Sequence, residues 1–118
     1  MHYPEAYLEG IRLFNAGHFW HAHEQWELCW RATTDVDEAR FFKGIIQTAA
    51  ALVKWQQGNQ HGMHRNWAKS RIRLAGLPSP YMGVDLRILH HEMETFIVAQ
   101  PGTIPLQVPQ LRLLEPDY

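Results

Sequence analysis

The sequence predicts an all-α fold, a compact bundle of about five helices followed by an extended, proline-rich C-terminal tail. Apolar residues recur at helical spacing through five segments, and residues suited to helix caps separate these segments. No segment shows the alternation of apolar and polar residues that is typical of strands in a β-hairpin. A chain of 118 residues has the length of one domain. We therefore expect a single helical domain over residues 1–118, with a core of about 5–100 and a tail of 101–118.

The composition is typical of a globular protein, with 46% hydrophobic and 19% charged residues. Five Trp and five Phe predict a bulky core. Cys29 is the only cysteine, which excludes an internal disulfide, and it has no basic neighbour on its own helix that would favour a catalytic thiolate. The sequence has neither a secretory leader nor an apolar run of membrane-spanning length. We expect a cytoplasmic protein without membrane association.

The first two helices are predicted to be separated by a glycine. Pro4 suits a first helical turn, Tyr7 begins an apolar series at helical spacing, and Gly17 fits the left-handed position that ends a helix. The second helix should run from about His18 to Ala32. It should stop at the Thr-Thr-Asp stretch that begins at Thr33, because these side chains favour caps and turns.

The third helix, from about Val36 to Gln57, is predicted to be central and to start at Asp35 or Asp37. Its apolar residues cover well over half of the helical circumference. A narrow polar or neutral stripe remains, consisting of Lys43, Gln47, Ala50 and Lys54. Gly44 and the alanines at 49–51 lack bulk, so we expect them to let neighbouring helices approach and to accommodate the Trp and Phe side chains of the second helix.

The remaining helices also carry cap signals. Gly58 should end the third helix and Asn59 should cap the fourth. The inward-facing residues of the fourth are Met63, Trp67, Ser70 and Leu74. Asp85 is the best cap for the fifth helix, which Gln100-Pro101-Gly102 should close. The tail beyond it has prolines between apolar residues, which favours an extended segment on the bundle surface.

Charge is divided along the chain. Residues 1–40 carry seven acids and three bases, and residues 85–118 carry five acids and two bases. Residues 41–84 contain no acid, and their bases are Lys43, Lys54, Arg65, Lys69, Arg71 and Arg73. Such a basic block can attract phosphate or nucleic acid. Acidic flanks that fold back and neutralise the block are the favoured interpretation, because no basic run or basic tail accompanies it.

The second helix carries the most informative pattern. On a helical projection Phe19, Trp26 and Trp30 fall in one narrow arc, with His23 inside the arc and Glu27 on its flank. An imidazole and a carboxylate on a face meant for burial cost free energy unless each has a partner. The pair therefore marks either a structural link that fixes the packing of the second helix on the third, or a functional site.

The functional interpretation is a semi-buried His/Glu site for a small ligand or a divalent metal. The candidate ligand-binding residues are His23, Glu24, Glu27, Trp30, Gln47 and Trp20, and the candidate metal ligands are His23, Glu27 and His64. A metal needs three or more ligands, which facing helices supply, but the chain has no His-Glu-x-x-His motif. Gln47 either reaches His23 or is solvated with Lys43 and Lys54. Trp20 is placed to line a groove or an oligomer interface.

Several groups of residues carry a family resemblance. They are Phe14-Asn15 with Gly17 and Phe19; Ala22-His23-Glu24 with Glu27 and Trp30; Phe42, Gly44 to Gln47 and Ala49-Ala50; Gly58-Asn59 with Gly62; and Gly83-Val84-Asp85. Over roughly residues 5 to 100 they resemble a bacterial and archaeal family known as domain of unknown function 309. The resemblance implies a compact all-helical fold and no reaction, since the family has no agreed biochemical activity. Trp26 departs from the aliphatic residue more usual there, and the end after Gln100 lies outside the shared part.

Three function classes remain open from the sequence. The leading one is a helical protein with a ligand or metal site at His23 and Glu27, the second is a structural or protein-interaction module, and the third is an anion or nucleic-acid binder that uses the basic block. Nucleic-acid binding is the least favoured, and a homo-oligomer is left open. The sequence does not decide whether the protein is an enzyme.

Overall fold

The computed structural model describes residues 2–99 and 107–114. Within them five α-helices follow one another as α1 Glu5–Asn15, α2 Phe19–Ala32, α3 Val36–Gln56, α4 Gln60–Leu74 and α5 Leu86–Val98. The predicted all-α fold is confirmed, and the second and third helices differ from their predicted bounds by one residue each. The predicted closure of α5 at residues 100–102 lies outside the described residues.

The helix ends follow from local side-chain chemistry. Asp35, Asn59 and Asp85 each accept a hydrogen bond from a backbone N–H in the first turn of the helix that follows. These bonds satisfy amide groups that have no partner inside the helix. Gly17 takes a φ of +85°, a left-handed conformation that ends α1 and turns the chain into α2.

The central position predicted for α3 is observed. It packs against α2 on one side and α4 on the other, and α1 covers α2. Between α3 and α4 the hydroxyl groups of Thr48 and Ser70 lie 2.7 Å apart, and Ser70 also donates to the carbonyl of Gly44. A Cβ atom at Gly44 would lie 2.6 Å from Cγ of Leu74 in α4, so this glycine sets the close approach of the two helices.

Trp26, the largest fully buried side chain of the described residues, packs on Gly10 of α1. A Cβ atom at Gly10 would overlap the indole Nε1 and Cδ1 atoms and lie 2.7 Å from Cε2. The indole N–H donates to the carbonyl of Tyr7 at 3.1 Å. The expectation that Gly44 accommodates an aromatic side chain of α2 is therefore wrong, because Gly44 faces α4 and Gly10 provides the space.

The segment 107–114 returns to the bundle near the end of α1. The side-chain amide of Asn15 donates to the carbonyl of Leu111 at 2.7 Å and accepts from its N–H at 2.8 Å. Leu111 is 2% exposed, so this segment contributes to the core and does not simply lie on the surface as predicted. In the described part of the chain no helix is long and apolar enough to cross a membrane.

Candidate functional site

The buried face of α2 is narrower than the sequence predicts. Its buried residues are Phe19, Ala22, Trp26 and Cys29. Trp30 lies one position beyond the edge of this face and is 39% exposed, so its predicted place in the buried arc is wrong. Its ring instead lies 4.8 Å below the ammonium group of Lys43 in α3, a cation–π contact. Burial raises the pKa of the Cys29 thiol, which opposes a thiolate near neutral pH.

His23 lies at the edge of the buried face, with its side chain 19% exposed. Its Nε2 atom is 3.3 Å from Oε1 of Glu27, one turn further along α2. The imidazole stacks on the Trp20 ring, with centroids 5.0 Å apart and 17° between the planes. Trp20 is 56% exposed, so its indole forms an outer wall over the histidine. These three side chains form one cluster on the surface of α2.

The two glutamates of α2 have different surroundings. Glu27 is half-buried, and its second carboxylate oxygen accepts from Nη2 of Arg31 at 3.2 Å. Glu24 is exposed and lies 3.2 Å from the imidazole of His21. Glu24 therefore interacts on the solvent side of the helix and is not among the groups around His23.

Gln47 lies on the polar stripe of α3, one turn after Lys43. The connection between α2 and α3 is short, which makes the helices antiparallel neighbours, and the Lys43 contact to Trp30 aligns the stripe with the edge of α2 that carries His23. In the described residues neither Nδ1 of His23 nor Oε1 of Gln47 has a hydrogen-bond partner, although both atoms are buried. Each of these two neighbouring helices thus carries one buried polar atom without a partner.

The predicted metal ligands are not brought together. Among the described residues no group of three or more His, Cys, Asp or Glu side chains is arranged to hold a metal ion. His64 is exposed on α4, whereas His23 and Glu27 are partly buried on α2 and pair with each other. The set of His23, Glu27 and His64 is therefore not assembled by the fold, since a site from these helices needs all three side chains on facing surfaces.

The expected neutralisation of the basic block holds for one of its six members. Arg71 donates to Glu94 of α5 at 2.7 Å, and this bond is the main reason that the pKa of Glu94 is lowered. In the described part of the chain the other five bases form no ion pair; they are Lys43, Lys54, Arg65, Lys69 and Arg73. Glu9 of α1 and both glutamates of α2 pair within their own helices, which explains why these three do not reach the block.

A cavity of about 750 Å³ lies away from the predicted site residues. It is bounded by the end of α1 with the adjoining start of α2, the end of α3, one face of α5 and the segment 107–112. Its wall includes Phe14, Phe19, Trp55, His91, Phe96 and Val108. None of the candidate ligand-binding residues lines it. The sequence carries no local signal for this cavity, because its walls come from four parts of the chain.

Comparison with known proteins places the fold and the His-Glu motif in a family. The chain matches the family model described as domain of unknown function (DUF309) over residues 7–66, which includes α1, α2, α3 and the start of α4. The chain belongs to the DUF309 family. The predicted family is thereby confirmed, with Gly83-Val84-Asp85 outside the residues that the family model matches.

A solved structure supports the same conclusion. The crystal structure of a conserved hypothetical protein from Thermus thermophilus is 38% identical in sequence, with a TM-score of 0.70. The similarity covers 81% of this chain and 98% of that protein. No curated protein matches the chain. The fold is therefore shared beyond the residues of the family model, while the comparisons name no activity.

Proposed function

We propose that this DUF309 protein binds a small polar ligand between α2 and α3, at His23 and Gln47. The observation that carries the proposal is the pair of buried, unpartnered atoms, Nδ1 of His23 and Oε1 of Gln47. Leaving a buried polar atom without a partner costs about 1–3 kcal/mol, so such atoms are uncommon and call for an explanation. A ligand that hydrogen-bonds to both would remove that cost.

The structural alternative is less favoured by the contacts. In the described residues no hydrogen bond or ion pair joins His23 or Glu27 to α3, since the partners of Glu27 are His23 and Arg31 of its own helix. Pairs at this spacing within a helix contribute only about 0.2–0.5 kcal/mol. Such a pair contributes little to helix packing. A partly buried imidazole beside the exposed ring of Trp20, by contrast, suits a ligand site.

An organic ligand is favoured over a divalent metal at this position. His23 and Glu27 would supply two metal ligands from one helix, and a protein metal site generally uses three or more. Gln47 contributes an amide, which donates and accepts hydrogen bonds and is a weak ligand for soft divalent ions. The stacked Trp20 ring adds an apolar surface beside these polar atoms, an arrangement typical of small-molecule sites.

The proposal is tested by the variants His23→Leu, Glu27→Gln and the double variant. If the cluster is a site, His23→Leu should be neutral or more stable in thermal melts, because a buried atom without a partner is removed. Glu27→Gln should cost no more than about 0.5 kcal/mol, because the partners of Glu27 lie on its own helix. Small polar fragments with both a donor and an acceptor are then titrated into ¹⁵N-labelled protein. We expect some of them to shift the Nδ1 resonance of His23 and the side-chain amide of Gln47, and to lose binding in His23→Leu.

The matched control is the exposed pair on the same helix, His21→Leu and Glu24→Gln, which should leave fragment binding unchanged. Elemental analysis of the purified protein and variants tests the metal alternative. Destabilisation by about 1–3 kcal/mol in both single variants at His23 and Glu27, with recovery in the double and no fragment binding, would support the structural role instead.

A further inference from the structure

A groove lies between the C-terminal end of α3 and the N-terminal half of α4. Its volume is about 290 Å³. The residues that line it are basic, polar or glycine; they are Lys54, Asn59, His61, Gly62, Arg65, Asn66 and Lys69. None of these lining residues is acidic. The groove is separate from the proposed ligand site, since neither His23 nor Gln47 lines it.

Helix geometry directs three cations into this groove. A Cβ atom at Gly62 would lie 2.9 Å from Cγ of Lys54, so the aliphatic part of Lys54 lies directly on α4 at this glycine. Arg65 and Lys69 follow Gly62 by three and seven residues, which places them on the same face of α4. The three positive groups therefore line one groove from two helices.

These charges are not compensated within the described part of the chain. Lys54, Arg65 and Lys69 form no ion pair there, and residues 41–84 contain no acid. The first turn of α4 also has no acidic residue that would offset these charges. Asn59 uses its side-chain oxygen to cap the N–H of Gly62 and supplies no negative charge.

We propose that this groove binds the phosphate or diphosphate group of a small ligand. Lysine and arginine side chains beside a helix N-terminus are a recurrent setting for phosphate recognition, because charged donors and free N–H groups converge on the anion. From Gly62 to Lys69 the helix rises by about 10 Å, which suits one short phosphate group rather than a long strand. The proposal does not depend on the ligand site at His23.

The test uses the full chain with sodium pyrophosphate as the probe. Binding is measured by calorimetry and by shifts of the backbone amide resonances. We expect shifts confined to residues near 54 and 59–69, and an affinity that falls as salt is raised. The variants Arg65→Gln and Lys69→Gln replace exposed side chains and should each weaken pyrophosphate binding about three- to tenfold. The matched control is Arg87→Gln, an exposed arginine of α5 outside the groove, which should bind like the native chain.

Three results would overturn the proposal. One is the absence of pyrophosphate binding in protein that circular dichroism shows to be folded. Another is an equal loss of affinity in Arg87→Gln, which would mean that binding follows only net charge. The last is an oligouridylate that binds more than about tenfold tighter than pyrophosphate, with shifts spreading to Lys43 and Arg73, because the occupant would then be a nucleic-acid strand.

Discussion

Replacement of Gly10 by alanine tests how Trp26 is held in the core. Alanine normally stabilises a helix interior by about 1 kcal/mol relative to glycine. Here its Cβ would overlap the pyrrole part of an indole that is fully buried and bonded to the carbonyl of Tyr7. Overpacking costs about 1–3 kcal/mol. Displacing the indole to relieve the overlap would also break its hydrogen bond, at about 1–3 kcal/mol.

The net expectation for Gly10→Ala is a loss of about 1–5 kcal/mol in the free energy of unfolding, with a central value near 3 kcal/mol. For a domain of this length that corresponds to a melting temperature about 12 °C lower. Urea unfolding followed by circular dichroism measures the change, and an unchanged dependence on urea concentration would show that the folded state stays compact.

Trp26→Phe supplies the decisive background for this measurement. Phenylalanine lacks the pyrrole atoms that a Cβ at Gly10 would overlap. In that background Gly10→Ala should be neutral or stabilising by up to about 1 kcal/mol, which with the central value above gives a coupling of about 3–4 kcal/mol between the two positions. Equal costs in both backgrounds, or no cost in the native chain, would refute the packing argument.

Two further predictions concern charge. Near physiological salt the protein should bind DNA and RNA with dissociation constants no lower than about micromolar, because its unpaired Lys and Arg residues cover only a short stretch of surface. Sub-micromolar binding that is lost on replacing Arg65, Lys69 and Arg73 would contradict this. The bond from Arg71 holds the pKa of Glu94 below its ordinary range, with His90 a smaller contributor from 3.5 Å away. A carboxyl group whose pKa is lower in the folded than in the unfolded chain stabilises the folded state at pH values above the ordinary glutamate pKa, and this stabilisation is lost as the pH falls through the lowered pKa. The difference in melting temperature between the native chain and Arg71→Gln should therefore shrink below about pH 4. A difference that stays constant from pH 7 to about pH 3 would argue against the ion pair.

Local chemistry accounts for what the sequence predicts well. The cap at Asp35 and the left-handed turn at Gly17 depend on residues within one helical turn, and the structure has both. The semi-buried position of His23 also follows from periodicity along α2 alone. These features need no knowledge of which helices become neighbours.

Features that depend on the partner helix were not predictable in the same way. Periodicity places Trp30 in the buried arc, but its exposure depends on how the neighbouring helices pack beside it. Gly10 gives no signal until Trp26 is known to pack against α1. The limited neutralisation of the basic block also depends on which helices become neighbours, because Arg71 alone of the six bases meets an acid, Glu94 of α5.

The amide of Asn15 binds only main-chain atoms of Leu111. Its donor and acceptor therefore recognise the presence of an extended backbone and not the identity of a side chain. Any apolar residue that fills the same volume at position 111 would preserve both bonds, so this docking is tolerant of sequence change in the segment. Asn15 lies within the matched family region and Leu111 outside it, so a residue of the matched region anchors a segment that the family model does not cover.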